Sequence, residues 1–492
     1  MRVCVTGATG FIGRALIPVL RRDGHTVVAW ARSVKRARNL LGAEIEIADA
    51  GAGIEALTAV VAGCDAVINL AGEPILGGRW TPKRRALLRN SRVHTTRELA
   101  QAIATARPRP LVLISSSAVG YYGDRGAERL SESSAPGSDF LSQLCQEWEA
   151  AARDVEGLGV RLVILRTGVV LGRDGGALAP LLLPFKLGVG GPAGSGRQYF
   201  PWIHLHDLVG IIATALVDDR YRGAINGVAP EETTGRQFAT ALGRALHRPS
   251  LIPLPALALR SIFGEAATVL LGSQRATPGA LMTRSFSYSF PALDAALADI
   301  LGGAAVELDA LASPPDPRGN TSSRHYLDAR RPTHELRATT VINSPLDETF
   351  AFFSRADNLG MITPAAMQFS ILGKAPAISE GAAIDYRVRV GPFTLRWRSR
   401  IVSWEPGARF VDLQEKGPYA SWWHEHSFRA DGARTVMEDR VCYAPPFGLL
   451  GRIANRLFIA PALRSIFQYR GDVIRLRFGA PLRSRLERGP RG

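Results

Sequence analysis

Three glycines spaced three residues apart, Gly7, Gly10 and Gly13, stand in the segment TGATGFIG, directly after the β-branched run RVCVT and at the start of the amphipathic stretch FIGRALIPVLRR. In a strand–loop–helix context the first glycine takes a tight turn, the second lets backbone approach a pyrophosphate, and the third lets helix and strand pack closely. The phosphates then meet free N–H groups at the helix N-terminus. Without that context the same spacing marks only a turn. Thr9, Phe11 and Ile12 complete the loop as candidate cofactor contacts. About 20 residues further on, where an acid would bind ribose hydroxyls, the chain has Arg32, followed by Ser33, Lys35 and Arg36. An arginine there pairs with a 2′-phosphate, so NADP(H) is expected in preference to NAD(H), against the plainer reading of a solvated basic turn.

Other residues could act on a substrate. The segment FKLGVGGPAGSGRQYFPWIHLHD sets Lys186 and Arg197 among glycine-rich turns, as in a loop that closes over a ligand, and both could hold an anionic group. His204 and His206 have no third ligand nearby in sequence, so no metal site is expected. In SSSAVGYYG, Tyr122 could offer its hydroxyl to a substrate, with aromatic packing as the competing role. The four cysteines, Cys4, Cys64, Cys145 and Cys442, lie far apart without a CxxC pair, which fits neither a disulfide framework nor a zinc site and suggests a reducing, cytoplasmic setting.

The elements that must position these groups read clearly in the first half. At 492 residues the chain is too long for one core, and with 46% hydrophobic and 21% charged residues it has ample apolar surface to bury. Over 1–230, the runs RVCVT, TVVAWA, EIEIA, DAVINLA, LVLISSS and VRLVILRT alternate with helical stretches, predicting an α/β unit on a parallel sheet covered on both faces. Pro18 falls inside the first predicted helix, where a kink is expected. Residues 231–301 turn helical and are cut short by prolines, reading as a small helical cap. The Pro- and Gly-rich stretch 302–333 reads as a linker. From 334 to 480 the period becomes two: Ile384, Tyr386 and Val388 alternate with Asp385, Arg387 and Arg389, and a helical stretch from about Leu449 to Phe478 closes the domain. An antiparallel sheet wrapped on that helix, an α+β unit, is expected, followed by a basic tail at 481–492.

Residues 330–492 hold 25 Lys and Arg against 15 Asp and Glu, so much of the net charge of +16 lies late in the chain. The arginines are interleaved along strands rather than blocked together, so solvated faces, not nucleic-acid binding, are expected. No run of about 18 apolar residues predicts a membrane span.

TGATGFIG, NLAGEPI, SRVHTTREL, SSSAVGYYG, LRTGVVLG and GSGRQYFPWIHLHDL together resemble the atypical short-chain dehydrogenase/reductase group described as epimerase-like, and RPSLIPLPALALRSIFGE with PGALMTRSF resembles its small C-terminal domain. The resemblance covers 1–301 and implies a Rossmann doubly wound parallel sheet, with cofactor contacts from Asp49, Ala71 and Gly72. Members of the wider superfamily carry a Ser or Thr after the fifth strand and a later YxxxK pair, in which the lysine helps tune the tyrosine as a general acid or base. Ser117 stands in the serine's place and is the candidate catalytic residue. The pair itself is missing: Leu141 falls where the tyrosine is expected and Cys145 where the lysine is expected.

Residues 334–480 resemble the SRPBCC superfamily of Bet v 1-like, helix-grip proteins, carried by HELRATTVINSPLDETFAFFSRADNLGMITP, by SWEPGARF and by the final helix. That resemblance implies a domain that binds an apolar ligand, with Tyr386, Trp397, Trp422, Phe428 and Phe467 as candidate lining. Two functions remain open: an NADP(H)-dependent epimerase-like oxidoreductase acting on a small molecule, and a non-catalytic NADP(H) sensor joined to a ligand-binding domain.

Overall fold

A computed structural model describes residues 1–76, 78–173, 175–302, 306–311, 315–317, 320–390 and 393–478. The basic tail lies outside the described residues. The chain forms two compact units, the first from Met1–Ala37 and Ile45–Leu301 and the second from Arg38–Glu44 and the described residues from Gly302 onward.

The first unit is built on seven strands: β1 (Arg2–Thr6), β2 (Thr26–Ala31), β3 (Glu46–Asp49), β4 (Ala66–Asn69), β5 (Val112–Ala118), β6 (Arg161–Thr167) and β7 (Gly223–Gly227). They run parallel in the order β7-β6-β5-β4-β1-β2-β3. Parallel strands need crossovers, and the crossover helices bury both faces of the sheet. The central strand β4 is accordingly buried at all four residues, and Cys4, Val28, Val67, Leu99, Ile103, Leu113 and Ile164 share one core cluster. The strand order reverses between β1 and β4, and ligands of such sheets bind beyond the strands' carboxyl ends at that switch point. The helix α1 (Phe11–Arg22) follows β1 and continues through Pro18 to Arg22, with Gly24 turning the chain at φ 83°. The helix α2 (Phe140–Arg153) lies between β5 and β6 in the chain. Between 235 and 302 the chain is cut into short helices, including Gly235–Ala245, Ala256–Phe263 and Leu293–Gly302.

The second unit carries eight antiparallel strands: β8 (Val306–Ala310), β9 (His334–Ile342), β10 (Ser370–Ile371), β11 (Ala383–Val390), β12 (Phe393–Glu405), β13 (Arg409–Lys416), β14 (Ser421–Asp431) and β15 (Arg434–Ala444). Their order is β8-β9-β15-β14-β13-β12-β11-β10. The helices α4 (Leu346–Phe353) and α5 (Ala460–Phe478) pack on one face, where Phe350, Phe353, Phe410, Phe428, Ile474 and Phe478 form a core. The alternation in β11 and β12 follows the sequence pattern: Ile384, Val388 and Trp397 are buried, while Arg387, Arg389 and Arg396 are exposed.

The linker reading of 302–333 is corrected. Strand β8 lies inside that stretch and pairs with β9, Leu308 facing Leu336. The helix α3 (Thr321–Ala329) also lies inside it, capped by Asn320, whose side chain accepts from Ser323 N at 2.8 Å. Its Leu327 and Tyr326 cover Trp423, Leu413 and Cys442 on the sheet's other face. Those side chains are apolar on the face turned away from α5, so the sheet needs a second cover, and the supposed linker supplies it.

Candidate functional site

Gly7 sits at φ 65°, and a Cβ there would lie 2.4 Å from the carbonyl oxygen of Leu70. A Cβ on Gly13 would lie 2.5 Å from Gly7 O and 2.7 Å from Ala8 O. Both positions therefore need glycine, one for conformation and closeness, the other for closeness alone. Gly10 caps α1 without any side-chain hydrogen bond, and no acidic residue enters the first turn. The helix thus starts with its N–H groups unclaimed by side chains, at the positive end of its dipole. Thr9, Phe11 and Ile12 are half-buried around this opening. The Phe11 ring packs so closely on Gly172, Gly175 and Gly176 that a Cβ at any of them would stand within 3.0 Å of it.

The remaining candidate cofactor residues gather on the same strand ends. Ala71 and Gly72 follow β4, where Ala71 N donates to Asn69 Oδ1 at 3.4 Å. Asn69 is itself fixed by Thr6, whose hydroxyl donates to Oδ1 at 2.7 Å, and by Thr96 Oγ1, which accepts from Nδ2 at 2.8 Å. Asp49 ends β3 exposed and accepts from Gly51 N at 2.9 Å. Arg32 follows β2 with a side chain 86% exposed, 3.3 Å from Glu73 Oε1, and Ser33 Oγ accepts from Arg36 N at 3.3 Å. An arginine so exposed is free to swing from Glu73 to a phosphate.

Sequence reasoning passed over Arg92. It is buried, donates to Glu73 O at 2.7 Å, and lies with its guanidinium carbon 5.3 Å from the Trp148 ring centre. A Cβ on Gly72 would come within 3.1 Å of that carbon. Burial lowers its pKa to about 10, which still leaves a cation beside the Ala71–Gly72 backbone at neutral pH. The run SRV at 91–93 was visible, but only folding brings 92 against 72.

Where the tyrosine–lysine pair would act, the structure holds a closed network. Ser117 is 3% exposed, and its hydroxyl donates to Glu149 Oε1 at 2.8 Å. Arg166 grips the same carboxylate bidentately, Nε to Oε1 at 2.8 Å and Nη2 to Oε2 at 2.9 Å. Burial works against the Arg166 charge, but Glu149 more than offsets it and holds the guanidinium above its usual pKa. Tyr122 is 0% exposed. Its hydroxyl donates to Asn226 Oδ1 at 2.7 Å and accepts from Arg166 Nη1 at 3.1 Å, while burial raises its pKa. The expectation that Tyr122 meets substrate is therefore corrected: its ring is core and its oxygen is already engaged. Cys145 is buried, and desolvation pushes its thiol up to about 12. Glu149, one helical turn beyond Cys145 on α2, is the residue that answers Ser117.

Leu141 lies on the open side of this network. It lines a cavity of about 320 Å³, together with Gly120, Asp124 and Asp139 from one side and Arg260, Glu265 and Gln274 from the other. That volume is at the small end of ligand sites. Three acids reach it, each already engaged. Asp139 caps α2 through Ser142 N at 2.8 Å, Asp124 accepts from Ser273 N at 3.2 Å, and Glu265 pairs with Arg85. Arg260 has no ion-pair partner among the described residues. Lys186 and Arg197 do not line the cavity. Lys186 ends the helix Leu178–Lys186, exposed overall, its ammonium lowered first by partial burial and then by Arg173. Arg197 is exposed in the turn that follows Gly194 and Gly196. His204 caps the helix Leu205–Val217 through His206 N, with its ring centre 4.0 Å from that of the tilted Phe290 ring, and Asp207 accepts from Ser289 N and Phe290 N. The side chains of His204 and Asp207 hold structure.

This arrangement has close relatives. Residues 3–226 match the NAD dependent epimerase/dehydratase family, and residues 254–300 match a domain of unknown function, DUF1731. The epimerase family protein SDR39U1 of Mus musculus is 44% identical over 305 residues, which is 61% of this chain and all of that protein. The chain belongs to this epimerase family. The crystal structure of human SDR39U1 (isoform 2) with NADPH superposes with a TM-score of 0.57 at 41% identity, over 61% of this chain and 99% of the human one. A nucleoside-diphosphate sugar epimerase from Corynebacterium glutamicum matches at 33% identity and a TM-score of 0.50, over 61% of this chain and 58% of its own. The DUF1731 match supplies Arg260, Glu265 and Gln274, so the cavity lies where the epimerase domain meets DUF1731.

Proposed function

We propose that residues 1–301 bind NADPH at the glycine loop and act as a reductase-type enzyme on a small molecule held in the 320 Å³ cavity. The observation that carries this reading is the pairing of an uncapped α1 N-terminus with glycines whose Cβ positions are filled by backbone. Those residues fit a pyrophosphate. Gly10 and the first N–H groups of α1 hold the phosphates, Arg32 with Ser33 takes the 2′-phosphate, and Asp49, Ala71 and Gly72 line the adenosine side. Arg92 stands as the cation beside Gly72 on the side from which the superfamily's lysine is missing. The human relative of known structure carries NADPH, in keeping with Arg32.

When bound, the dinucleotide supplies hydride chemistry. The chain's own part is to orient a substrate against Leu141 and to keep Ser117 and Glu149 from exchanging protons with it. The proton that balances the hydride then comes from water. Lys186 and Arg197 serve, in this reading, as a basic rim outside the cavity. The second unit, SRPBCC-like in its sheet gripping a long helix, binds an apolar ligand. The absence of any tyrosine or lysine at 141 and 145 favours a second reading, a sensor that binds NADPH without turning it over.

Extraction and mass analysis of the small molecules that copurify with the full chain tests the proposal. NADP(H) is expected, and incubating the other extracted compounds with NADPH should consume the cofactor. A chain that carries NAD(H) alone would defeat the cofactor assignment; NADP(H) carried without turnover would establish the sensor.

A further inference from the structure

The second unit buries a cluster of charges that none of the foregoing uses. His424 and His426 alternate with Glu425 on β14, so both point to the face covered by α5. Asp412 on β13 reaches the same point. Its Oδ2 is 3.4 Å from His424 Nδ1 and 3.3 Å from His426 Nε2, and the three donor atoms lie within 4.8 Å of one another. Both rings are buried, their centres 3.8 Å apart. Donor atoms bound at 2.0–2.1 Å to a tetrahedral zinc ion stand about 3.3 Å from each other, close to the two distances found here.

The surroundings match those of a held ion. Asp439 on β15 lies on the opposite edges of the rings, 3.1 Å from His424 Nε2 and 2.8 Å from His426 Nδ1. A carboxylate on the far ring nitrogen is the usual partner of a metal-bound histidine, because it fixes the tautomer and raises the basicity of the ligating nitrogen. Arg470 on α5 approaches Asp439 at 3.4 Å and His426 Nδ1 at 3.2 Å. Phe410 stacks on His426 at 4.1 Å and Phe467 meets His424 edge-on at 5.6 Å, so the site is walled by aromatic rings. Two carboxylates face one guanidinium, which leaves room for a further positive charge in a place where unbalanced charge is expensive.

We propose that Asp412, His424 and His426 form a site for a divalent first-row transition-metal ion, zinc or ferrous iron, with Asp439 and Arg470 as its supporting shell. Two imidazoles and one carboxylate are borderline donors that suit these ions rather than calcium or magnesium. Three protein ligands leave at least one coordination position open for a small molecule. This departs from the sequence-based expectation of no metal, which rested on the scattered cysteines and on His204 and His206. The signal was present as the H-x-H spacing of 424 and 426, but the carboxylate that completes it lies on the neighbouring strand. The competing arrangement closes the cluster with protons alone, His426 Nδ1 accepting from Arg470 and Nε2–H donating to Asp412.

Elemental analysis of the full chain, purified from cells grown with added zinc and iron, separates the two. The proposal expects about one ion per chain, and after unfolding and refolding in chelator, added Co²⁺ should give the visible absorption of tetrahedral or five-coordinate cobalt. Asp412→Asn and His424→Gln should each reduce bound metal at least tenfold. Where a variant does not fold, the wild-type stoichiometry and cobalt spectrum carry the test. Fewer than about one ion in ten chains with no cobalt absorption would overturn the proposal, as would full metal content in a folded Asp412→Asn/His424→Gln double variant.

Discussion

Replacing Arg166 with methionine tests how the first unit uses the place of the missing proton relay. Arg166 and Glu149 both have side chains 3% exposed, joined by two hydrogen bonds of 2.8 and 2.9 Å. Removing the guanidinium leaves a buried carboxylate with Ser117 and, at 3.8 Å, the half-exposed Arg153. Breaking such a pair typically costs about 3–5 kcal/mol, a large share of the roughly 5–15 kcal/mol that holds a domain folded. Replacing both partners, Arg166→Met with Glu149→Leu, removes the stranded charge and should recover most of that loss. A two-unit chain need not unfold in one step, so amide hydrogen exchange of the peptides spanning 112–118 and 161–167 is the better assay. At about 1.4 kcal/mol per factor of ten, exchange from globally limited amides should accelerate roughly a hundredfold or more in Arg166→Met and far less in the double variant. Less than about fivefold acceleration in the single variant, or equal acceleration in both, would refute the claim that the network is closed and mutually dependent.

Further outcomes follow from the same geometry. Gly13→Ala forces a Cβ to within 2.5 Å of Gly7 O, so the loop must open; the loss of one charge-assisted phosphate contact, about 1.5–3 kcal/mol, should weaken NADPH binding roughly ten- to hundredfold by fluorescence titration. Burial raises the pKa of all four cysteines, Cys145 and Cys442 to about 12, so native chain at pH 8 should resist a thiol reagent that labels four sites once the protein is denatured. Burial pushes the Glu335 carboxyl up, but Arg440 and Arg337 outweigh it and hold it below its usual 4.5. A depressed carboxylate contributes stability above its unfolded pKa and loses it as pH falls through the folded value. The urea midpoint of the second unit should therefore drop below about pH 4.5, and drop less in Glu335→Gln.

The glycine loop was legible because its meaning is local: strand, turn and helix are contiguous, and the close contacts at Gly13 follow from that order, while the one at Gly7 is with Leu70, brought beside it by the pairing of β1 with β4. The missing relay was legible for the same reason, since Leu141 and Cys145 can be read straight off α2. What replaces the relay was not, because Glu149 meets Ser117 across 32 residues and Arg166 across 17, and only the packed sheet brings them together. The cavity joins Gly120 and Leu141 to Arg260 and Gln274, a juxtaposition no single window contains. Lys186 and Arg197 drew attention as cations among glycines, yet charge near a flexible turn does not place a residue in a pocket. Prolines and glycines hid β8 and α3, whose apolar residues number only a few each and whose partners, Leu336 and Trp423, come later in the chain. No helix among the described residues is long and apolar enough to cross a membrane.

The proposed function rests on NADPH binding by the first unit through the glycine loop, with Arg32 reading the 2′-phosphate. Parallel fluorescence titrations of the full chain and of Arg32→Ala with NADPH and NADH test it most directly. The wild-type chain should bind NADPH at least tenfold more tightly than NADH, and Arg32→Ala should narrow that preference by weakening NADPH alone. Equal affinity for the two dinucleotides in the wild-type chain, or no binding of either at millimolar concentration, would contradict the account.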